Sequence, residues 1–314
     1  MLTDGDRKRL TFYSPVCFIR ARQAELAALE ERSLAQGLEK GDVSLLENGS
    51  RIFYRHLDWD SKYFGFPVFR VEFSSCADGS GNDVLRSTVG AYRKLVSDLV
   101  EGCPRAYVFS EVPSEDLLVL QGMGLAGFRL IETRLTFYRD GIQSFESAER
   151  YPTRLAIEAD IPNLQNVARR ARNPFDRYHA DPFFSAAEAD EYLAAYVGNS
   201  VRGFADMVIV PAPDSLEPGA FLTGVFDRRH ESACSAKLAR ISLTAVAPER
   251  RGWNKRLNSE LMHWFKERGV QIIYTTTQST NRAAIRVLES LGYSFGRSTH
   301  VLVFSVSGKI SGSQ

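Results

Sequence analysis

Cysteine is scarce in this chain: Cys17, Cys76, Cys103 and Cys234 are the only four among 314 residues. No pair is separated by the two residues a structural zinc site requires, and four are too few to staple a chain of this length. That excludes a zinc ribbon and a disulfide scaffold, predicts a reducing, cytoplasmic setting, and gives no reason to expect a metal. Charge of one sign is equally short, with 39 Lys and Arg against 38 Asp and Glu and a net charge of +1. Non-specific nucleic-acid binders carry a basic excess or a basic stripe, so no nucleic-acid partner is expected. No apolar run approaches the roughly 20 residues that span a bilayer, so no membrane partner is expected either. Met1–Leu10 carries Asp4, Asp6 and a basic cluster with no apolar core behind it, unlike a secretory signal.

What is present is ordinary globular material, 44% hydrophobic and 25% charged, and the length predicts two domains. Arg20–Glu39, rich in Ala, Leu, Glu and Arg, predicts a helix ending near Gly41, suited to a domain cap or a homodimer contact. Strands are predicted at Ser50–Leu57 and Val68–Phe73, around an aromatic turn from Trp59 to Pro67. Ala77–Asp83 is loop by its Gly and Ser content. Leu85, Val89, Tyr92, Val96 and Leu99 form one helical face, closed by Gly102. A strand at Ala106–Ser110, a short helix from Ser114 to Gly124 and a strand at Phe128–Tyr138 complete the first half.

From Gly141 to Thr153 the chain turns polar without a period, which marks a domain boundary. Asp160 with Pro162 predicts a helix start, and Ser185 with Glu188 a capping box before the helix Ala189–Val197. Strands follow at Phe204–Val210 and Ala220–Phe226, joined by the turn residues Pro211–Ser215. Then come a strand Leu238–Ala247, a helix Asn254–Arg268, a strand Gln271–Thr276, a helix Asn281–Leu291 and a strand Phe295–Phe304. The tail from Gly308 is small and polar and predicts disorder. Leu120–Leu125 and Leu288–Tyr293 echo each other weakly, each preceding a strand.

The segment from Ile241 to Tyr293 carries the chemistry. An apolar strand meets Ala247-Pro248, then a basic turn, Arg250-Arg251-Gly252. The helix that follows sets Leu257, Leu261, Trp264 and Phe265 on one face. A helix start presents unsatisfied N–H groups and partial positive charge. With arginines and a glycine beside it, this one suits a pyrophosphate; the same residues also fit a solvated basic turn capping a packed helix. After the next strand come Asn281, Ala284, Leu288 and Gly292-Tyr293. In this order and spacing the last seventy or so residues resemble the GCN5-related N-acetyltransferase (GNAT) superfamily. The strand, Val-x-Pro, basic turn and helix resemble its acetyl-CoA pyrophosphate motif. A narrower likeness, to the dTDP-fucosamine acetyltransferase group, rests on Trp59–Gly65, Gly127–Glu132 and Arg177–Phe183.

The resemblance implies an α/β fold of two tandem acyltransferase-like halves, a mixed central β-sheet flanked by helices, with the complete GNAT fold in the C-terminal half. The expected divisions are a helical extension (1–48), a truncated GNAT-like domain (49–145), an acyl-CoA-binding domain (152–306) and a tail (307–314). It further implies acetyl-CoA as donor and a small-molecule amine, an amino sugar in particular, as acceptor. Backbone N–H groups of Leu243, Thr244, Ala245 and Val246 would hold the thioester carbonyl. Arg251, Gly252, Trp253, Asn254, Lys255 and Arg256, with Asn281 and Ala284, would hold the coenzyme. Glu132 matches a carboxylate that acts as base through water; it equally fits an exposed strand residue paired with Arg134 or Arg129. Trp59 and Phe64 fit a sugar-stacking surface or a packed seam. Arg177, Tyr178 and His179 fit an acceptor site or a structural knot.

Two residues depart from the family pattern. Many members place a tyrosine acid seven positions after the motif asparagine, where this chain has Leu288; Tyr293 and Tyr274 are the substitutes at hand. Arg256 stands where a small residue normally lets phosphate approach the backbone. Both departures favour the alternative of an inactive GNAT fold serving as a binding module.

Overall fold

The computed structural model describes residues 2–39, 43–45, 51–75, 82–147, 149–212 and 218–307. Most of the expected Ala77–Asp83 loop, the turn residues Pro213–Ser215, Cys76 and the tail from Gly308 lie outside them. The chain forms two compact units, Met1–Thr133 with Ser298–Gln314, and Arg134–Arg297. The division passes through two strands rather than through the polar stretch Gly141–Thr153. Among the described residues no helix is long and apolar enough to cross a membrane.

Unit 1 runs α1 (Asp4–Tyr13), α2 (Gln23–Glu39), β1 (Val43–Leu45), β2 (Arg51–His56), α3 (Asp58–Phe64), β3 (Val68–Ser75), α4 (Asn82–Val100), β4 (Arg105–Pro113), α5 (Leu117–Leu125) and the start of β5 (Arg129–Arg139). β1, β2 and β3 are antiparallel, β3 and β4 parallel. Residues 299–307 of the chain's last strand pair antiparallel with β4. Period-2 alternation explains the two faces. Ile52 and Val71 pack under α4 and α5 with Tyr92, Leu95 and Met123. Phe53 and Phe73 turn the other way, to Leu10 of α1.

Unit 2 continues from β5 through β6 (Thr153–Leu155), α6 (Ile161–Arg170), α7 (Arg177–Ala180), α8 (Ala186–Asn199), β7 (Met207–Pro211), β8 (Ala220–Phe226), α9 (Arg228–Cys234), β9 (Leu238–Val246), α10 (Trp253–Glu267), β10 (Ile272–Gln278), α11 (Arg282–Ser290) and the start of β11 (Ser294–Ser307). Its sheet runs β5-β10-β9-β8-β7-β6, with β9 and β10 parallel and the other pairs antiparallel. Ala220, Leu222, Ala239 and Ile241 meet Leu257, Leu261 and Phe265 of α10 on one face. Val208, Val210, Phe221 and Ala245 meet Leu164, Val167 and Val197 of α6 and α8 on the other. Helices thus cover both faces of a mixed sheet, as the α/β class requires.

Each unit repeats one plan. The β2–β3 register slips between Phe53 and Tyr54 and leaves Glu72 opposite nothing; the β8–β9 register slips between Thr223 and Gly224 and leaves Ser242 so. α3 and α9 both end on a left-handed residue, Gly65 and Ser235. Parallel pairing stops at Val71–Ser110 in one unit and at Ile241–Thr275 in the other. At both stops a hydroxyl donates to the facing carbonyl, Ser110 Oγ to Val71 O (3.0 Å) and Thr275 Oγ1 to Ile241 O (3.3 Å). Asp116 caps α5 through the Val119 N–H as Asn281 caps α11 through that of Ala284. Phe128 N–H bonds Met123 O as Tyr293 N–H bonds Leu288 O. The internal echo is therefore real but three residues out of register: Met123–Phe128, not Leu120–Leu125, corresponds to Leu288–Tyr293. α1 and α2 precede β1 and β2 as α6 and α8 precede β7 and β8, so the two N-terminal helices belong to the plan of unit 1.

Several short elements differ from the sequence-based expectation. The aromatic turn after Trp59 is the helix α3; seven residues make two turns, too few to display a 3.6-residue period. The seven residues of α9 and the three of β6 are likewise too few to display a helical or a strand period. The cap of α5 is Asp116 rather than Ser114. Phe204 ends a π-turn at Ser200–Phe204, and β7 starts at Met207.

Candidate functional site

The site in unit 2 starts where β9 parts from β10. Up to Ile241 the two strands pair; beyond it β10 pairs only with β5, through Thr276, Thr277 and Gln278. The bulge at Ser242 marks the point of departure, since an extra residue bends its strand and ends regular pairing. One edge of residues 242–246 is left without a strand neighbour. Successive N–H groups along a strand point to opposite edges. Ala247 N–H donates to Gly219 O at 2.9 Å, toward β8, and Leu243 N–H donates to Thr223 Oγ1 at 2.8 Å, also toward β8. Ala245 shares that direction by alternation. Thr244 and Val246 are then the two amides facing the vacated edge. Of the four expected carbonyl donors, the geometry brings two to the gap, and Thr223 is a supporting residue the sequence gave no sign of.

The strand leads through Ala247 and the 3₁₀ turn Pro248–Arg250 to Gly252, which stands at the N-cap of α10 with φ +92° and ψ −20°. No side chain caps this helix and no acidic residue stands in its first turn. Its first N–H groups are therefore orphans of the kind an anion satisfies. A Cβ built on Gly252 meets nothing within 4 Å, so the approach to these amides is open. Glu249 is turned away into a pair with Arg170, both oxygens at 2.9 Å. Arg251 and Lys255 are exposed and make no ion pair with any described residue. The guanidinium of the bulky, exposed Arg256 lies 5.2 Å from the Tyr151 ring centroid and 5.3 Å from that of Trp253. Asn254 accepts from the buried Asn258 amide at 2.8 Å, which fixes the first turn.

Across the gap, Asn281 caps α11 and Ala284 supplies the capped amide (3.2 Å). Gln278, at the end of β10, is held from the α6–α7 loop by Asn173, whose amide donates to it at 2.7 Å. Leu288 is buried in the α10–α11 core, where no proton donor could work. Tyr293 joins the same core; burial raises its pKa and its hydroxyl has no partner. It is not brought to the gap, because Arg139, the charge that acts on it, pairs with Ile273 near the opposite end of β10. Tyr274 is buried too, its hydroxyl donating to Asp227 at 2.7 Å, and burial raises its pKa.

The Arg177–His179 segment is tied to its own neighbours. Asp176 caps α7 and accepts from His179 Nδ1 (2.7 Å), while Nε2 meets Asp190 of α8 (3.0 Å). The Asp176 bond raises the His179 pKa, burial opposes it, and Asp190 adds to the rise. Both ring nitrogens are thus committed. Tyr178 packs between Phe184 and Tyr192, and the Arg177 guanidinium lies over its ring at 4.4 Å.

Trp59, Phe64 and Glu132 belong to unit 1. Trp59 stacks on Tyr63 and Phe64 on Phe66, all on or beside α3. Glu132 is buried on β5. Among the described residues no group of three or more His, Cys, Asp or Glu side chains could hold a metal ion.

Residues 159–293 match the acetyltransferase (GNAT) family. By sequence, no curated protein matches the chain. A GCN5-related N-acetyltransferase from Sphaerobacter thermophilus is similar in structure, with TM-score 0.60 and 14% identity over 98% of this chain and 97% of its own. A GCN5-related glucosamine N-acetyltransferase region of a fungal multi-domain β-N-acetylglucosaminidase gives TM-score 0.54 and 14% identity, over 88% of this chain and 37% of that one. A protein of unknown function from Staphylococcus epidermidis gives TM-score 0.51 and 10% identity, over 81% and 90%. At these identities the likeness is one of fold.

Proposed function

We propose that this chain, whose residues 159–293 carry the GNAT acetyltransferase fold, is an acyl-CoA-dependent N-acyltransferase with its donor site in unit 2. One observation carries the reading: a helix start at Gly252 with no side-chain cap and no obstruction among the described residues, flanked by Arg251 and Lys255, which pair with no described residue, follows directly on a strand edge freed by the Ser242 bulge. A diphosphate suits the first feature and an amide-bearing pantetheine arm the second. The orphan amides and the two cations bind the phosphates. The Thr244 and Val246 amides, with no strand opposite, bind the extended arm and the carbonyl oxygen.

The donor supplies a thioester carbonyl and a thiolate leaving group. The acceptor nitrogen forms the new N–C bond, the C–S bond breaks with its electron pair going to sulfur, and the nitrogen sheds one proton. With Leu288 in the core, no side-chain acid is assigned to the thiolate. A simple thiol has a pKa near ~8.5, so the sulfur can leave without one. The acceptor is proposed to be the amine of a small molecule, an amino sugar free or nucleotide-linked. The fold shared with a glucosamine N-acetyltransferase region and the likeness of Trp59–Gly65 to the dTDP-fucosamine group support that class.

Calorimetric titration with acetyl-CoA tests the donor site, and a free-thiol assay over a panel of amino sugars and other small amines tests the acceptor. Saturable binding with thiol release on an amino sugar is expected. Absence of binding at millimolar acetyl-CoA would remove the donor site; binding with turnover only on other amines would remove the sugar.

A further inference from the structure

The gap that opens after Ile241 has a counterpart in unit 1, and the two differ in what crosses them. β3 leaves β4 after Val71, just past which Glu72 bulges, as β9 leaves β10 after Ile241 at the Ser242 bulge. On this correspondence Phe73 stands where Leu243 does, Ser75 where Ala245 does, and the α5 cap Asp116 where Asn281 does. In unit 2 the helix α6 packs on β8 and β9. In unit 1 the helix α1 packs on β3 and β4, one strand further over, and so lies across the point of divergence.

Side chains of α1 complete the crossing. Ser75 Oγ donates to the Asp6 carboxylate at 2.8 Å. Arg9 donates to Asp6 at 3.1 Å and to Asp116 at 2.7 Å. Tyr13 OH donates to the same Asp116 oxygen at 2.9 Å. The Arg9 guanidinium sits 5.3 Å from the Phe73 ring centroid, and Leu10 packs beside Phe53 and Phe73. Asp6 and Asp116 are almost fully buried. In unit 2 the contact described across the divergence is Asn173 to Gln278; in unit 1 the run from strand edge to helix cap is spanned by one continuous hydrogen-bonded path, Ser75–Asp6–Arg9–Asp116–Tyr13.

We propose that the cleft of unit 1 is filled by the chain's own first helix, so that each chain holds one acyl-donor site, in unit 2, and a second cleft of the same build that is latched from within. The count of one rests on the reading of unit 2 as the donor site; the latch does not. Charge logic agrees with it. Two buried carboxylates tied to a single arginine repel a polyanionic ligand, whereas the cleft of unit 2 begins at Arg251 and Lys255, which pair with no described residue.

Hydrogen exchange on the full chain, with and without saturating acetyl-CoA, reads both clefts at once. The amides of residues 243–246 are expected to slow on addition, those of 4–13 and 72–75 to stay unchanged, and native mass spectrometry to count one coenzyme per chain. Two coenzymes per chain, or slowing at 72–75, would overturn the proposal. Arg9→Met removes the cation joining Asp6 to Asp116 and keeps an apolar stem over Phe73. It is expected to speed exchange in 4–13 and 72–75 by about tenfold or more, leaving 243–246 as before, because the opening is local. Should it fail to fold, Tyr13→Phe, which keeps the ring and removes the phenol's bond to Asp116, carries the same expectation in milder form. Absence of any acceleration sinks the latch. If the parent protein binds no acetyl-CoA, the donor site fails, and the exchange of the Arg9 or Tyr13 variant judges the latch by itself.

Discussion

Replacing Gly252 by alanine puts the donor site to its most direct test. The residue holds φ +92°, a conformation that L side chains rarely adopt. Keeping it there costs an alanine roughly 1–3 kcal/mol of backbone strain. No packing penalty adds to this, since the new Cβ meets nothing within 4 Å. For a domain of this size, each kcal/mol lowers Tm by about 2–4 °C, so a modest fall is expected. The binding loss should be larger. If the backbone relieves strain by rotating, the amides that follow Gly252 swing away from a common focus. A hydrogen bond to a charged group is worth about 1.5–3 kcal/mol, and losing one weakens Kd roughly 10- to 150-fold. Calorimetric titration with acetyl-CoA and a thermal melt on the same preparation separate the two effects. A Kd within about twofold of the parent's, alongside a lowered Tm, would show that phosphate does not sit on this helix start.

Four further outcomes are expected. Arg251→Gln with Lys255→Gln should leave Tm nearly unchanged, because neither side chain pairs with a described residue; it should weaken acetyl-CoA binding and flatten its salt dependence in titrations at low and high salt. Asp176 above all, and Asp190 with it, favour the protonated form of His179 against the opposing effect of burial, so its folded pKa lies above the unfolded value. The stability it adds is full below the unfolded pKa, near ~6.5, and is lost as pH rises through the folded one; His179→Gln should flatten the fall in Tm between acidic and alkaline buffers, and an unaltered slope would refute the pairing. Glu132→Gln should cut turnover while leaving acetyl-CoA affinity intact, if Glu132 is the base its family likeness implies; unchanged turnover removes it from the chemistry. Tyr293→Phe should leave kcat unchanged and Tm equal or higher, since it deletes a buried hydroxyl without a partner; a drop of about 10²-fold or more would restore the tyrosine as an acid.

How much of this was legible before folding depends on whether the signal is local. α10 was readable because Leu257, Leu261 and Phe265 repeat on one face, and Gly252 stands just ahead of them. The Ser185–Glu188 capping box was readable because both partners lie within one turn, and it forms as expected. α1 left little trace: its buried face includes a carboxylate, Asp6, whose partners Arg9 and Ser75 are a turn and a whole strand away. The bulges at Glu72 and Ser242 have no residue signature, because a register slip is a property of two strands together. Gly252 is the exception among site residues: its glycine is dictated by its own backbone angle. His179 shows the converse. Its type suggested chemistry, but Asp190, eleven residues on, commits it to structure, and only the packing of α7 on α8 reveals that.

The two units also show which features make a cleft and which make it a site. Bulge, divergence and capped helix are backbone properties, and both copies hold them with the same hydrogen bonds. A shared backbone therefore cannot be what selects a coenzyme. On the proposed reading, the selection lies in side chains at two places. At the start of the long helix, α4 carries Asp83 in its first turn, which satisfies the helix dipole from within. α10 carries no acid there, and Arg251 just before it and Lys255 on it pair with no described residue. An anion gains more from the second arrangement than from the first, where the exposed Asp83 already pairs with Arg86 at 3.5 Å. At the strand edge, the first helix of unit 1 lies over the divergence and fills it with an ion-paired path, while α6 stops one strand short. Either difference alone would bias the two clefts apart; on the proposed reading they act together, so that among the described residues the cleft of unit 2 is the one where a phosphate-bearing donor would find both its charge and its strand partner unmet.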